Sequence, residues 1–192
     1  MKNKALIVFA LMWNKDKQEY LTKAVYELQK NFGSIILQSK EFGLEYSHYY
    51  EKEMGEGLIK KFVLFDEIID KEDSVKIKKY SMELEDSLRV DGRRTVNIDP
   101  VYVDEYQVVA LSHKDKGSRI YLSNGVYAEI QLLYHHGSFQ PLLWSYLDYK
   151  ENTDFFNQVR RIYLKIKKVR ERDSEMQDVN KIYCSSSSYI TS

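Results

Sequence analysis

The N-terminal segment contains an apolar run that limits the folds available to this chain. Residues 5–13 carry no charged or amide side chain. The run is about half the roughly 20 residues that a membrane helix needs, and the small-residue cleavage site of a signal peptide does not follow it. An uninterrupted apolar run is typical of a central strand that is covered on both faces. We therefore expect a sheet built around this strand.

The next segments alternate between helical and extended patterns. A helix is expected up to Phe32, with Gly33 as its stop, and a second one from Asp73 to a stop at Gly92. Extended segments are expected at 34–39, 58–65 and 95–98, and Pro100 is expected to close the last of them because proline cannot serve a central ladder. The order strand, helix, strand, strand, helix, strand indicates an α+β fold with a ferredoxin-like βαββαβ core, in which one antiparallel sheet carries two helices on one face.

The C-terminal half predicts extra antiparallel strands and a C-terminal helix. Strands are expected at 106–111, 119–122, 126–134 and 139–142, and Asn124-Gly125 is a strong hairpin signal. A helix with an apolar stripe is expected from Thr153. From Asp173 the periodicity fades, and a run of four serines follows from Ser185. We expect a single α+β domain over residues 1–172 and a disordered tail over residues 173–192.

Composition excludes several classes of protein. Lysine plus arginine total 29, as do aspartate plus glutamate, so the chain gives no strong nucleic-acid signal. A single cysteine, Cys184, rules out an internal disulfide framework and fits a cytoplasmic protein. No membrane span is expected, and the oligomeric state is not indicated. The stretch 160–172 holds seven basic residues and one acid, which suits either a solvated helix face or a docking surface.

Two polar segments, 46–57 and 93–102, follow neither the helical nor the strand period throughout. Folded domains keep such irregular stretches for turns or for sites. Arg94 could clamp a phosphate or a carboxylate with its planar fork, or it could pair with a glutamate of the second helix. The ligand-binding candidates in the two segments are Tyr50, Glu51, Glu53, Arg94, Asn97, Asp99 and Tyr102.

Glu129 is a further ligand-binding candidate, because it is an acid inside an otherwise apolar strand. Strand alternation places it on one face with Tyr127 and Gln131. If that face is open to water the acid is unremarkable, whereas a covered face would make it a candidate site. Should Asp99 and Glu129 converge, their oxygens would suit Mg²⁺ or Mn²⁺. No Walker A, GxGxxG, GxSxG, HExxH or CxxC motif is present, so no catalytic residue can be assigned.

The same segments carry a resemblance to a known family. The stretches 49–55, 94–102, 119–122 and 125–129 are similar to those of an uncharacterised bacterial family, a domain of unknown function of the DUF4416 type. Some of its members are labelled GTP-binding protein. The resemblance runs over roughly residues 4 to 168. It implies family membership but no activity, since the family has no established catalytic residues.

Two classes of function remain open. In the first, the polar segments and Glu129 gather into a pocket for an anionic, nucleotide-like small molecule with a divalent cation, and tyrosines stack on its ring. In the second, the protein is a non-catalytic protein-interaction module that uses exposed tyrosines and the basic C-terminal helix. The first hypothesis requires Asp99 and Glu129 to share one face of the sheet.

Overall fold

The computed structural model describes residues 1–43 and 50–186, with the backbone alone over residues 174–186. This part of the chain forms one sheet of nine strands and five α-helices. The strands are β1 (Lys4–Asn14), β2 (Ile35–Gln38), β3 (Phe42–Gly43), β4 (Leu58–Asp70), β5 (Val96–Val103), β6 (Gln107–Ser112), β7 (Ile120–Ser123), β8 (Val126–His135) and β9 (Ser138–Pro141). The helices are α1 (Gln18–Phe32), α2 (Glu51–Met54), α3 (Ser74–Ser87), α4 (Leu147–Glu151) and α5 (Thr153–Ser186).

The sheet is antiparallel and is centred on the apolar run. Its strand order is β2-β4-β1-β5-β6-β8-β7, with β3 paired to β4 and β9 paired to β8. Strand β1 pairs antiparallel with β4 on one side and with β5 on the other. Every residue from Ala5 to Asn14 is buried. The α+β class and the central position of the first strand are therefore confirmed.

The two faces of the sheet are covered by different helices. On one face, α1 and α3 pack against the odd-numbered side chains of β1 (Ile7, Phe9 and Leu11). On the other face, α5 packs against the even-numbered ones (Leu6, Val8 and Ala10). Phe62 anchors the α5 face, because its ring centroid lies 4.9 Å from that of Phe156 and 5.0 Å from that of Tyr149. The apolar stripe predicted for the C-terminal helix thus docks on the sheet.

Strands β5 and β6 separate along their length and leave a gap between them. Strand β5 pairs with β1 from Val96 to Val103, but it pairs with β6 only from Val101 to Val103. We call the gap the β5–β6 fork; residues 96–100 of β5 line one side and residues 111–113 the other. Helix α3 packs beside it.

The expected strand end at Pro100 is wrong, because β5 continues through the proline to Val103. Ile98 and Pro100 are two residues apart, so their backbone nitrogens face the same edge of the strand. At that edge β6 has already diverged, and the N–H of Ile98 donates instead to the carboxylate of Glu85. Proline has no N–H to satisfy there, and it is therefore tolerated.

Other boundaries differ more modestly from expectation. Helix α3 ends at Ser87, and Gly92 (φ +73°) lies in a turn closed by the Val90–Arg93 bridge rather than at a helix stop. Helices α2 and α4 have four and five residues, too few for a helical period to show in the sequence. The expected Asn124-Gly125 hairpin is present, with both residues at positive φ.

Part of the sequence-based expectations cannot be followed in the structure. Residues 46–49 of the first polar segment lie outside the described residues, and so do residues 187–192 of the expected disordered tail. The backbone of α5 is helical to Ser186. Within the described part of the chain, no helix is long and apolar enough to cross a membrane.

Candidate functional site

Arg94, two residues before β5, is the centre of a buried polar network at the fork. Its Nη2 lies 2.6 Å from Oε2 of Glu53, and its Nε lies 3.3 Å from Oε1 of the same residue, so the two form a bidentate pair. Its Nη1 donates to Oδ1 of Asn97 at 2.7 Å and to Oε2 of Glu85 at 3.3 Å. One guanidinium therefore connects α2, α3 and β5. The sequence predicted that Arg94 could pair with a glutamate of the second expected helix. That helix is α3, and the contact with Glu85 confirms the pairing.

Asp99 is held by a buried ammonium. The side chain of Lys78 is only 1% exposed, and its Nζ lies 2.7 Å from Oδ1 of Asp99. Asn97 donates its amide N–H to the other carboxylate oxygen at 2.7 Å. Burial by itself opposes ionisation of Asp99, but the Lys78 ammonium outweighs it and holds the pKa of that carboxyl well below its usual range. Asp99 is therefore ionised at neutral pH.

Helix α3 presents a buried polar stripe to the fork. Lys78, Ser81 and Glu85 are buried and recur at three- and four-residue spacing, so they share one side of the helix. Ile77 and Leu84 lie beside them and pack into the α1 face of the core. Burial raises the pKa of Glu85 to about 7, although the Lys78 ammonium opposes the shift. Near neutral pH this carboxyl is therefore partly protonated.

A small cavity of about 180 Å³ opens beside Arg94. Its lining consists of Met82, Glu85, Asp86, Arg89, Arg94 and His113. His113 follows β6 at an exposed position, and partial burial of its imidazole, together with the Lys78 ammonium, lowers its pKa, which favours the neutral form at pH 7. Sites for drug-sized ligands begin at about 300 Å³. The cavity therefore suits an anion of only a few heavy atoms.

Glu129 belongs to a second buried network, on β8. Its Oε2 accepts hydrogen bonds from Nε of Arg119 at 3.2 Å and from Nε2 of Gln131 at 2.9 Å. Its Oε1 accepts from the hydroxyl of Ser118. Arg119 also donates to the phenolic oxygen of Tyr146 at 2.9 Å. The face around Glu129 is covered, and Arg119 balances its charge.

Asp99 and Glu129 lie on the same face of the sheet. Val101 pairs with Ala110, and Ala110 pairs with Glu129, so these three share a face; Asp99 joins them because it is two residues from Val101. Strand spacing and rise separate the two backbones by roughly 12 Å. Each carboxylate nevertheless has a cation of its own, Lys78 for Asp99 and Arg119 for Glu129.

The geometry gives no support to a metal shared by Asp99 and Glu129. A site for Mg²⁺ or Mn²⁺ needs several oxygen ligands that are free to turn toward the ion. Among the residues that the structure describes, no group of three or more His, Cys, Asp or Glu side chains could hold a metal ion.

Five of the eight ligand-binding candidates, Tyr50, Glu53, Arg94, Asn97 and Asp99, lie together at the fork. The ring of Tyr50 covers the network, with its centroid 5.7 Å from Cζ of Arg94 and 5.2 Å from Nζ of Lys114. The loop 113–119 connects this network to the one around Glu129, since Arg119 donates to the carbonyl oxygen of Lys114 at 2.7 Å.

Two of the candidates occupy different positions. Glu51 is half-buried in α2, and its carbonyl accepts a hydrogen bond from the N–H of Gly55. Tyr102 lies on the opposite face of β5 from Asp99 and packs against the α1 face of the core. Burial raises the pKa of Tyr102 to about 12, and Asp104 adds to the shift. Tyr102 is therefore outside the network.

Four residues of the two networks and the cavity were not among the sequence-based candidates: Lys78, Glu85, His113 and Arg119. Lys78 and Glu85 have a visible helical spacing, but a polar stripe on an amphipathic helix ordinarily faces water. Only the divergence of β6 from β5 makes their side of α3 an interior position. No local pattern separates His113 or Arg119 from ordinary surface residues.

Comparison with known protein families places a match over most of the chain. A family model described as "Domain of unknown function (DUF4416)" matches residues 3–163. The matched range contains α2, α3, the β5–β6 fork and the network around Glu129. No curated protein and no solved structure matches the chain.

Proposed function

The chain belongs to the DUF4416 family, and we propose that it binds a small oxyanion, a carboxylate or a phosphate, at the β5–β6 fork. The observation that carries the proposal is the burial of Arg94, which lines a cavity of about 180 Å³. Buried ions cost free energy that well-packed apolar side chains would not. Buried titratable groups with shifted pKa values are enriched at functional sites.

The lining of the cavity suits an oxyanion. Arg94 and Arg89 provide guanidinium groups, which recognise carboxylate and phosphate oxygens. The neutral imidazole of His113 can donate one N–H, and the partly protonated carboxyl of Glu85 can donate its O–H. A nucleotide would exceed the cavity and would have to extend over the Tyr50 ring. We therefore favour a small organic acid or inorganic phosphate.

Isothermal titration of the full chain with inorganic phosphate and with succinate tests the proposal. We expect millimolar or tighter binding by the wild type. Arg94→Gln should bind at least tenfold more weakly, because it lacks the guanidinium group. Arg161→Gln is the matched control, since it removes the same charge from an exposed position on α5. Absence of binding by folded wild-type protein to both anions at tens of millimolar would overturn the proposal.

A second candidate function is supported by a separate surface. The edge strand β7 exposes Ile120 (64%), Tyr121 (58%) and Leu122 (40%). An edge strand with apolar side chains and unpaired backbone groups is suited to receiving another chain. This feature favours a protein-interaction module. Sedimentation of the wild type and of Ile120→Lys over a concentration series tests this function. We expect the wild type to self-associate and the variant to lose this self-association. A monomer in both cases would count against self-association through β7.

The basic helix offers a further surface for an interaction module. Arg161, Lys165, Lys168 and Arg172 are all exposed, and their spacing places them on one side of α5. Such a stripe suits an acidic partner. Retention of the wild type on an anionic resin, and its weakening in a Lys165→Gln–Lys168→Gln variant, would measure the strength of this surface.

We also propose that β1, α1, β2, β4, α3 and β5 form a ferredoxin-like core. Their order along the chain is strand, helix, strand, strand, helix, strand, and the corresponding sheet order is β2-β4-β1-β5 with antiparallel neighbours. Both helices pack on one face, which supports the same assignment. A cytoplasmic location is proposed as well, on the single cysteine of the sequence.

A further inference from the structure

Glu53 makes the most exposed contact in the Arg94 network. Its side chain is 35% exposed, whereas those of Arg94 and Glu85 are 10% and 6% exposed. Its two carboxylate oxygens lie 2.6 Å and 3.3 Å from Nη2 and Nε of Arg94, and Oε1 lies 3.4 Å from Nη1 of Arg89. A carboxylate held between two arginines has the geometry expected of a bound organic acid.

The backbone around Glu53 is anchored without the help of its side chain. Met54, which is 1% exposed, packs with Met12 and Leu58. The amide of Asn14 donates to the carbonyl oxygens of Met54 at 3.2 Å and of Glu56 at 2.7 Å. These contacts hold α2 in place. A change in the Glu53 rotamer alone would therefore free the Nε–Nη2 edge of the Arg94 guanidinium. The α2 helix need not unfold.

We propose that Glu53 is an internal ligand: its carboxylate holds the Nε–Nη2 edge of Arg94, a residue that lines the cavity, until an anion displaces it from that edge. The inference rests on the proposed function and adds its regulation: the protein restrains its own anion site. The ligand that fits is one that reproduces the two oxygens of a carboxylate on the same guanidinium edge. Because of this internal competition, the apparent association constant equals the intrinsic one multiplied by the fraction of molecules in which Glu53 has left the guanidinium.

The direction in which a substitution of Glu53 changes the affinity for anions tests the inference. Glu53→Gln removes the negative charge that competes with the ligand, so we expect it to bind succinate and inorganic phosphate about 2- to 5-fold more tightly than the wild type. Glu53→Ala, which also removes the hydrogen-bond acceptor, should bind at least as tightly as Glu53→Gln. Glu56→Gln is the matched control, because it makes the same charge change at an exposed residue of the same segment; we expect less than a twofold effect.

The outcomes separate this inference from the proposed function. If the wild type binds and the Glu53 variants bind equally or more weakly while their unfolding midpoints stay near that of the wild type, the internal-ligand role is wrong and anion binding stands. If Glu56→Gln gains as much as Glu53→Gln, net charge explains the gain and the inference fails. If no variant and no wild-type protein binds either anion, both fail. Binding gained by Glu53→Gln and lost again in Glu53→Gln–Arg94→Gln is the supporting result.

Discussion

The carboxylate of Glu85 accepts a hydrogen bond from the backbone N–H of Ile98, so a helix side chain occupies the place that a neighbouring strand would otherwise take. The same carboxylate receives Nη1 of Arg94 at 3.3 Å. Burial raises the pKa of Glu85 to about 7. The stability of the fork should therefore depend on pH in a range where glutamate is ordinarily fully ionised.

Glu85→Gln should reveal this dependence. The folded protein retains a proton on Glu85 up to about pH 7, whereas in the unfolded chain glutamate loses it near its ordinary value of 4.5. Between these values the folded state binds more protons, so its stability falls as the pH rises. Relative to Glu85→Gln, we expect the free energy of unfolding of the wild type to decrease by about 1–3 kcal/mol from pH 4.5 to pH 8.

Urea unfolding at a series of pH values measures this difference. The charged neighbours Lys78, Asp99 and Arg94 are common to both proteins, so their direct titration largely cancels. A difference that stays constant over the whole range would contradict the raised pKa. A free energy of unfolding of the wild type that rises with pH relative to Glu85→Gln would contradict the direction of the shift.

Lys78 and Asp99 should be strongly coupled. Lys78→Met leaves the partly buried carboxylate of Asp99 without its cation, and we expect a loss of about 3 kcal/mol. Adding Asp99→Asn should restore much of the stability, because the uncompensated charge is then gone. A double-mutant cycle measured by urea unfolding should give a coupling of at least about 1 kcal/mol.

An exposed ion pair provides the control for that cycle. Lys76 and Asp73 pair at 2.8 Å with side chains that are 84% and 40% exposed. The corresponding cycle with Lys76→Met and Asp73→Asn should show little coupling, since solvent screens the pair. Additive effects at Lys78 and Asp99 would mean that the buried pair is screened as well.

Pro100→Ala should be tolerated even though the residue lies inside a strand. The new N–H would face the fork, where β6 does not pair with it, and we expect a change in stability within about 1 kcal/mol. Val101→Pro is the comparison, because its N–H faces β1 and its loss would remove a ladder hydrogen bond. Thermal unfolding should show a far larger decrease for Val101→Pro. Equal decreases would contradict the assignment of strand edges.

Phe156 should be a principal anchor of α5. It is fully buried, and its ring lies 4.9 Å from that of Phe62 and 5.5 Å from that of Tyr149. Phe156→Ala should lower the free energy of unfolding by about 3–5 kcal/mol through lost burial and a residual cavity. Val169→Ala, at a 55% exposed position of the same helix, should change it by less than about 0.5 kcal/mol. Similar losses in the two variants would mean that α5 is not held by this aromatic cluster.

Local patterns were sufficient for the elements with a clear period. The apolar run of β1 and the stripe of α1 each determine a covered face, and both are found as expected. The predicted strand end at Pro100 was wrong, because a proline is excluded only where its missing N–H would face a partner strand. Had β5 been extended through Pro100, alternation alone would have placed Tyr102 on the face opposite Asp99.

The candidate site depended more on long-range geometry. Glu53 and Arg94 are 41 residues apart, and their meeting depends on how α2 is anchored by Asn14. Lys78 is indistinguishable from a solvated helix lysine until the divergence of β6 is known. Sequence reasoning could therefore nominate Arg94, Asn97 and Asp99, but it could not supply the helix residues that hold them.

The divergence of β6 also bears on association between molecules. Residues 96–100 of β5 have no strand partner on one side, and an open strand edge invites pairing with another chain. The side chains of Lys78 and Glu85 close that edge with charge, and Glu85 takes up the N–H of Ile98. The polar stripe of α3 thus protects the middle of the sheet against aggregation, in the way that charged residues protect the outermost strands of other proteins.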